Sequence, residues 1–219
     1  MAGTISKPAR TSPLLRVSYP QVFVPKTFAA GDVPRYSIVL MIDKTNKEQM
    51  EFMKQLHQDA SKALVEKWPD ESTRPRIPLT GHDNSLFKDG DAACNKQGIP
   101  LREKNEEYIG HYIIRAGTTT KPMLVNKGRQ EILDTNEIYG GCYCKVNVNI
   151  YTFERPENKG VTCGLNGLQK MDDGESFGGG RPSVDTMFTA EGGADDSANY
   201  DPFATGEATS EKDYDDIPL

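Results

Sequence analysis

The sequence predicts a mainly β domain with one α-helix and long loops, followed by a disordered acidic tail. Three observations predict it: period-two alternation at 142–153, one helical stretch after Thr45, and a change of charge after Pro182. A chain of 219 residues with a mean hydropathy of −0.61 suits one domain with a solvated remainder. We therefore expect a folded domain at 1–172 and a linker with a tail at 173–219.

The clearest predicted strand runs from Cys142 to Phe153. Cysteine, valine and isoleucine alternate there with larger polar and aromatic residues, so that one face is apolar and the other is solvated. Four further strands are bounded by glycine, proline or polar residues: 14–19, 36–42, 108–115 and 161–170. Five short strands fit an OB-type barrel and a β-sandwich about equally well, so periodicity leaves both folds open.

A single amphipathic helix is predicted after Thr45. Thr45 and Glu48 have the spacing of a capping box, and apolar residues then recur at helical spacing. The helix is expected to end near Trp68, because the proline that follows cannot continue it. The segment 69–107 is rich in proline and glycine and is predicted to be a long loop, of the kind that is often functional or mobile.

The charge divides the chain into two parts. Residues 1–182 hold 25 Lys and Arg against 22 Asp and Glu, which gives +3, whereas residues 183–219 hold one Lys against ten acids, which gives −9. Glycines at 178–180 form a flexible linker, and the residues after them include too few apolar side chains to build a core. The acidity of the chain therefore lies in the tail, and the net charge of −6 does not argue against a nucleic-acid-binding domain.

Several classes of protein are disfavoured by what the sequence lacks. No stretch approaches the roughly 18 apolar residues of a membrane span, and the first residues have no signal-peptide core, so we expect a cytoplasmic protein without a membrane partner. No nucleophile or phosphate-loop motif is present, so we expect no enzyme and no cofactor. Zinc is disfavoured because the closest cysteine pair, Cys142 and Cys144, alternates on the core-facing period.

The outward face of the 142–153 strand is the candidate nucleic-acid surface. It presents aromatic rings, a cation and amides: Tyr143, Lys145, Asn147, Asn149, Tyr151 and Phe153. Bases of single strands stack on such rings while cations hold the phosphates. The alternative is that the rings form a second layer of core beneath a loop. Four residues outside this strand are further candidates for DNA contacts: Arg16, Tyr112, Arg115 and Lys121.

The C-terminal residues form the most specific motif of the chain: Asp213, Tyr214, Asp215, Asp216, Ile217, Pro218 and Leu219. Acids that end in a hydrophobic side chain and a carboxylate can dock where a basic rim surrounds an apolar pocket. The motif resembles the tip of bacterial single-stranded-DNA-binding proteins, which ends Asp-Asp-Ile-Pro-Phe, with Leu219 in place of the Phe. This resemblance implies recruitment of replication and recombination proteins.

Five segments carry a resemblance over most of 14–181, in this order: LLRVSYPQVFVPK, RYSIVLMIDK, GHYIIRAGTTTKP, EIYGGCYCKVNVNIYTF and NKGVTCGLNGLQKMDDGESFGGG. They resemble a phage family of single-stranded-DNA-binding proteins first catalogued as a domain of unknown function. The resemblance implies an OB-fold, a five-stranded Greek-key barrel, and so decides between barrel and sandwich. It also implies a non-catalytic protein that coats single-stranded DNA during phage replication or recombination in the cytoplasm of the infected bacterial host. The alternative function is a protein-interaction module without DNA binding.

Overall fold

The computed structural model of the protein describes residues 4–27, 31, 33–75, 86–94, 98–155 and 158–177. These residues form one α-helix, two 3-10 helices at Leu101–Glu103 and Glu106–Tyr108, and eight strands. The helix is α1 (Lys47–Lys67), and the strands are β1 (Arg10–Thr11), β2 (Leu15–Lys26), β3 (Arg35–Asp43), β4 (Phe87–Asp89), β5 (His111–Thr118), β6 (Met123–Val125), β7 (Tyr143–Arg155) and β8 (Asn158–Asp172). Among the described residues, no helical segment combines the length and the apolar composition that a membrane span requires.

The five predicted strands are present as β2, β3, β5, β7 and β8. β2 and β8 are longer than predicted, and β5 begins at His111 because Glu106–Tyr108 forms a 3-10 turn before it. Buried and half-buried residues alternate along β7 from Tyr143 to Phe153, which confirms its predicted period.

These five strands close into a ring. β2 pairs with β3, β3 with β5, β5 with β8, β8 with β7, and β7 with β2. The pairing of β5 with β8 is parallel and the other four are antiparallel. The protein is therefore mainly β with a closed sheet and one helix, consistent with an OB-like barrel.

The helix α1 packs against the interior of the barrel. Its buried side chains Phe52 and Leu56 belong to the same apolar cluster as Leu40 of β3 and Ile150 of β7. Removing these side chains from water is the main favourable contribution to folding.

The helix has a different N-cap from the predicted one. The side-chain oxygen of Asn46 accepts hydrogen bonds from the backbone N–H groups of Glu48 and Gln49, at 3.0 and 3.2 Å. Thr45 instead donates its hydroxyl to the Asp43 carboxylate at 2.7 Å. The predicted capping box at Thr45 is therefore wrong, because Asn46 already satisfies the free N–H groups of the first turn.

Asn46→Ala is expected to lower the free energy of unfolding by about 1 kcal/mol, because it leaves those N–H groups without their side-chain acceptor. Thr45→Ala should lower it less, since the hydroxyl caps no helical N–H. Urea denaturation of both variants, followed by circular dichroism, measures the difference. If Thr45→Ala loses more unfolding free energy than Asn46→Ala, Thr45 and not Asn46 caps the helix.

The segment predicted to be one long loop contains ordered structure. β4 pairs antiparallel with β5, and Phe87 of β4 is completely buried in the main core. The ammonium group of Lys44 contacts the carboxylates of Asp89 and Asp91 at 2.6 and 2.5 Å, which ties this segment to the end of β3. Further along, Tyr108 is buried in a second, smaller apolar cluster.

Candidate nucleic-acid interface

A groove of about 640 Å³ lies on the outer face of β3 and β5. Alternate residues of these paired strands point away from the main core, and Val39, Ile113 and Arg115 line the groove. We call this site the outer groove. Its lining also includes side chains from β2, β4, β8 and the turns around 101–108: Tyr19, Lys88, Thr162, Leu101 and Tyr108.

The floor of the outer groove is built from apolar and small residues. Tyr108 packs with Val39 and Ile113 beneath the opening. Burial raises the pKa of Tyr108 to about 12. Gly117 lines the floor at β5, where a Cβ would lie only 3.2 Å from the carbonyl oxygen of Tyr36.

The outer groove is basic although the whole chain is acidic. Its charged side chains are Arg35, Lys88 and Arg115, and no carboxylate occurs among the described residues that line it. Three cations in a partly apolar cleft attract a polyanion, and local charge matters more for this than the net charge of −6.

Tyr19 stands at the rim of the outer groove in a strained conformation. Its φ is 45°, and it lies in β2 where the register with β3 shifts between Ser18 and Gln21. A positive φ is costly for an aromatic residue, and such strain is concentrated at binding sites. The side chain is 54% exposed, and its hydroxyl donates to the side-chain oxygen of Asn105 at 2.6 Å. This irregular pairing of β2 with β3 therefore holds the exposed ring of Tyr19 in the groove that the three cations line.

The predicted residues of β7 point outward, as expected, but the described lining of the outer groove includes none of them. Asn147 donates to the hydroxyl of Thr11, and Asn149 donates to that of Ser6, both at 2.9 Å. The N-terminal segment therefore engages the amides that the sequence assigns to DNA. Lys145 and Phe153 are half-buried on the same face.

Arg16 and Tyr143 contact the segment that follows β8. The guanidinium of Arg16 lies 4.2 Å from the ring centre of Phe177 and 5.6 Å from that of Tyr143. Arg16 also donates to the carbonyl oxygen of Glu175 at 2.5 Å. Packing on the barrel therefore continues to Phe177, past the predicted boundary at 172.

The remaining predicted residues lie in separate places. Arg115 lines the outer groove. Tyr112 packs against the main core, and the ammonium group of Lys44 lies 4.8 Å from its ring centre. Lys121 is exposed and forms an ion pair with Glu131 at 3.8 Å. The tip at 213–219 lies outside the described residues.

Sequence reasoning missed most of the outer groove: Tyr19, Arg35, Tyr36 and Lys88. The available signals were the Arg-Tyr pair that opens β3 and the lysine next to Phe87 in a segment read as loop. Neither signal is specific, since nothing local indicates that these side chains meet.

Comparison with known proteins identifies a family and a fold. A family model described as "Enterobacter phage Enc34, ssDNA-binding protein" matches residues 10–198. A curated relative, "Putative protein p50" of Acyrthosiphon pisum secondary endosymbiont phage 1, is 23% identical over 173 residues, which cover 78% of this chain and 88% of the relative.

Two solved structures share the fold. The single-stranded DNA-binding protein from bacteriophage Enc34 in complex with ssDNA has a TM-score of 0.60 at 24% identity, over 78% of this chain and 89% of that one. The single-stranded DNA-binding protein gp2.5 of bacteriophage T7 has a TM-score of 0.52 at 13% identity, over 88% of this chain and 100% of that one.

Proposed function

Since this chain belongs to the phage family of the Enterobacter phage Enc34 single-stranded-DNA-binding protein, we propose that it binds single-stranded DNA in the outer groove. The family is one of DNA-binding proteins and not of enzymes, in agreement with the sequence-based prediction. The observation that supports this location is the groove itself, where three cations and exposed Tyr19 surround an apolar floor without a carboxylate among its described residues.

The chemistry of the outer groove fits a single strand. Arg35, Lys88 and Arg115 supply charge for phosphates, while Tyr19 supplies an exposed ring for an unpaired base. We assign the ring of five strands to the Greek-key barrel of the OB-fold. In that fold the face of the second and third barrel strands binds oligonucleotides, and β3 and β5 hold those places here.

Tyr19→Ala is expected to weaken binding of single-stranded DNA by about 1–3 kcal/mol, because it removes a stacking surface. Fluorescence anisotropy with a labelled oligonucleotide measures the loss, and a duplex of the same sequence tests preference for single strands. Thermal melts show whether this variant still folds.

The outward face of β7 is the competing location, and Tyr143→Ala and Phe153→Ala are the matched variants. If these two lose affinity while Tyr19→Ala binds normally, the strand lies on β7 and not in the outer groove. If the wild-type protein binds no single-stranded oligonucleotide, the alternative of a protein-interaction module is favoured.

The wider role that we propose is to coat and protect single-stranded DNA during phage replication or recombination, in the cytoplasm of the infected bacterial host. The acidic tip at 213–219 recruits partner proteins in this proposal, which its resemblance to the bacterial tip supports. Deleting 217–219 keeps every acidic side chain and removes the apolar anchor. It should leave DNA affinity unchanged and abolish capture of host replication proteins in a pull-down. If the shortened protein still captures host replication proteins, the tip is not the segment that recruits them.

A further inference from the structure

Arg35 differs from a surface cation in how its donors are used. Its Nη2 donates to the phenol oxygen of Tyr151 at 3.0 Å. Its Nε is buried and has no hydrogen-bond partner within the described part of the chain. Leaving a buried donor unsatisfied is costly, and more so when the group is charged. The guanidinium is held by Tyr151 at Nη2, and a phosphate in the outer groove would reach its terminal N–H donors and not the solvent-shielded Nε.

Tyr151 reaches Arg35 across a strip of small residues. Tyr151 lies on β7 and Arg35 opens β3, and β8 and β5 lie between them in the ring. Gly117 of β5 pairs with Gly164 of β8. A Cβ on Gly164 would lie 3.1 Å from the Tyr151 ring, so this glycine leaves room for the ring beside it.

We propose that Arg35 is a phosphate-binding residue of the outer groove, and that Tyr151 is its positioning residue. Tyr151 acts through its hydroxyl, which orients the guanidinium, and not as a ring on which a base stacks. This proposal rests on the proposed binding of single-stranded DNA. A phosphodiester oxygen is the acceptor that such a strand brings, and a charge-assisted hydrogen bond to a fixed guanidinium is stronger than one to a mobile cation.

Tyr151→Phe separates positioning from stacking, because phenylalanine keeps the ring and loses only the hydroxyl. Positioning predicts that Tyr151→Phe weakens binding about fivefold to tenfold, nearly as much as Tyr151→Ala. Stacking predicts that Tyr151→Phe binds like the wild type. Tyr143→Phe is the matched control, since it removes a hydroxyl from the same strand, and it should bind normally.

Variants of Arg35 test whether this residue binds a phosphate of the strand. Arg35→Gln should make the slope of log affinity against log salt shallower by about 0.7, which is the contribution of one phosphate contact on a single strand. Arg35→Lys keeps the charge but cannot hold both contacts, so it should lose about tenfold. The double variant Tyr151→Phe, Arg35→Lys should lose no more affinity than Arg35→Lys alone, because both changes disrupt the same contact between Arg35 and Tyr151.

All variants are titrated with the same labelled oligonucleotide as the wild-type full-length chain, and thermal melts confirm that they fold. Normal binding by Tyr151→Phe, an unchanged salt slope in Arg35→Gln, or additive losses in the double variant would each overturn this assignment while leaving the proposed function intact. Failure of the wild type to bind would overturn both.

Discussion

Replacing Arg35, Lys88 and Arg115 together by alanine is expected to weaken binding of single-stranded DNA about 100-fold near 0.1 M salt, and much less near 1 M. Each phosphate neutralised on a single strand contributes about 0.7 to the slope of log affinity against log salt, because counterions are released. Removing three such contacts should make that slope shallower by about 2. Anisotropy titrations across a salt series measure both quantities.

The matched control for this variant removes the same charge from another surface. Lys47, Lys54 and Lys62 are exposed on α1, and their joint replacement by alanine should change affinity and slope only slightly. An equal loss in the two triple variants would mean that the affinity for DNA depends on the total charge of the protein. The outer groove would then no longer explain the binding.

Phe87→Ala is expected to lower the free energy of unfolding by about 3–5 kcal/mol, because it removes a buried ring and leaves a cavity. Phe87 is completely buried in the main core, and its ring centre lies 5.9 Å from that of His57 on α1. Domains of ordinary stability unfold with only about 5–15 kcal/mol, so this single change removes a large share. Urea denaturation followed by tryptophan fluorescence gives the value.

Leu133→Ala provides the contrast, since this leucine is 76% exposed. A substitution at the surface is expected to change stability by no more than about 0.5 kcal/mol. If Phe87→Ala is equally mild, β4 does not contribute to the core, and the segment is a loop as the sequence indicated.

The difference between β7 and the outer groove shows where sequence reasoning succeeds. The inward and outward faces of β7 could be predicted because strand side chains alternate, and Val148 and Tyr151 fall on opposite faces as expected. What surrounds the outward face could not be predicted. The contacts of Asn149 with Ser6 and of Arg16 with Phe177 join residues that are far apart in the chain.

The amino-acid sequence by itself determined the five main strands, the helix and the division of charge at Pro182, because these follow from local periodicity and composition. Only the tertiary structure decided that Tyr19, Arg35, Lys88 and Arg115 share one groove. The physical reason is register: the pairing of β3 with β5, and of β5 with β4 and β8, sets which side chains become neighbours. That pairing is stabilised by packing between distant segments, which no local pattern records.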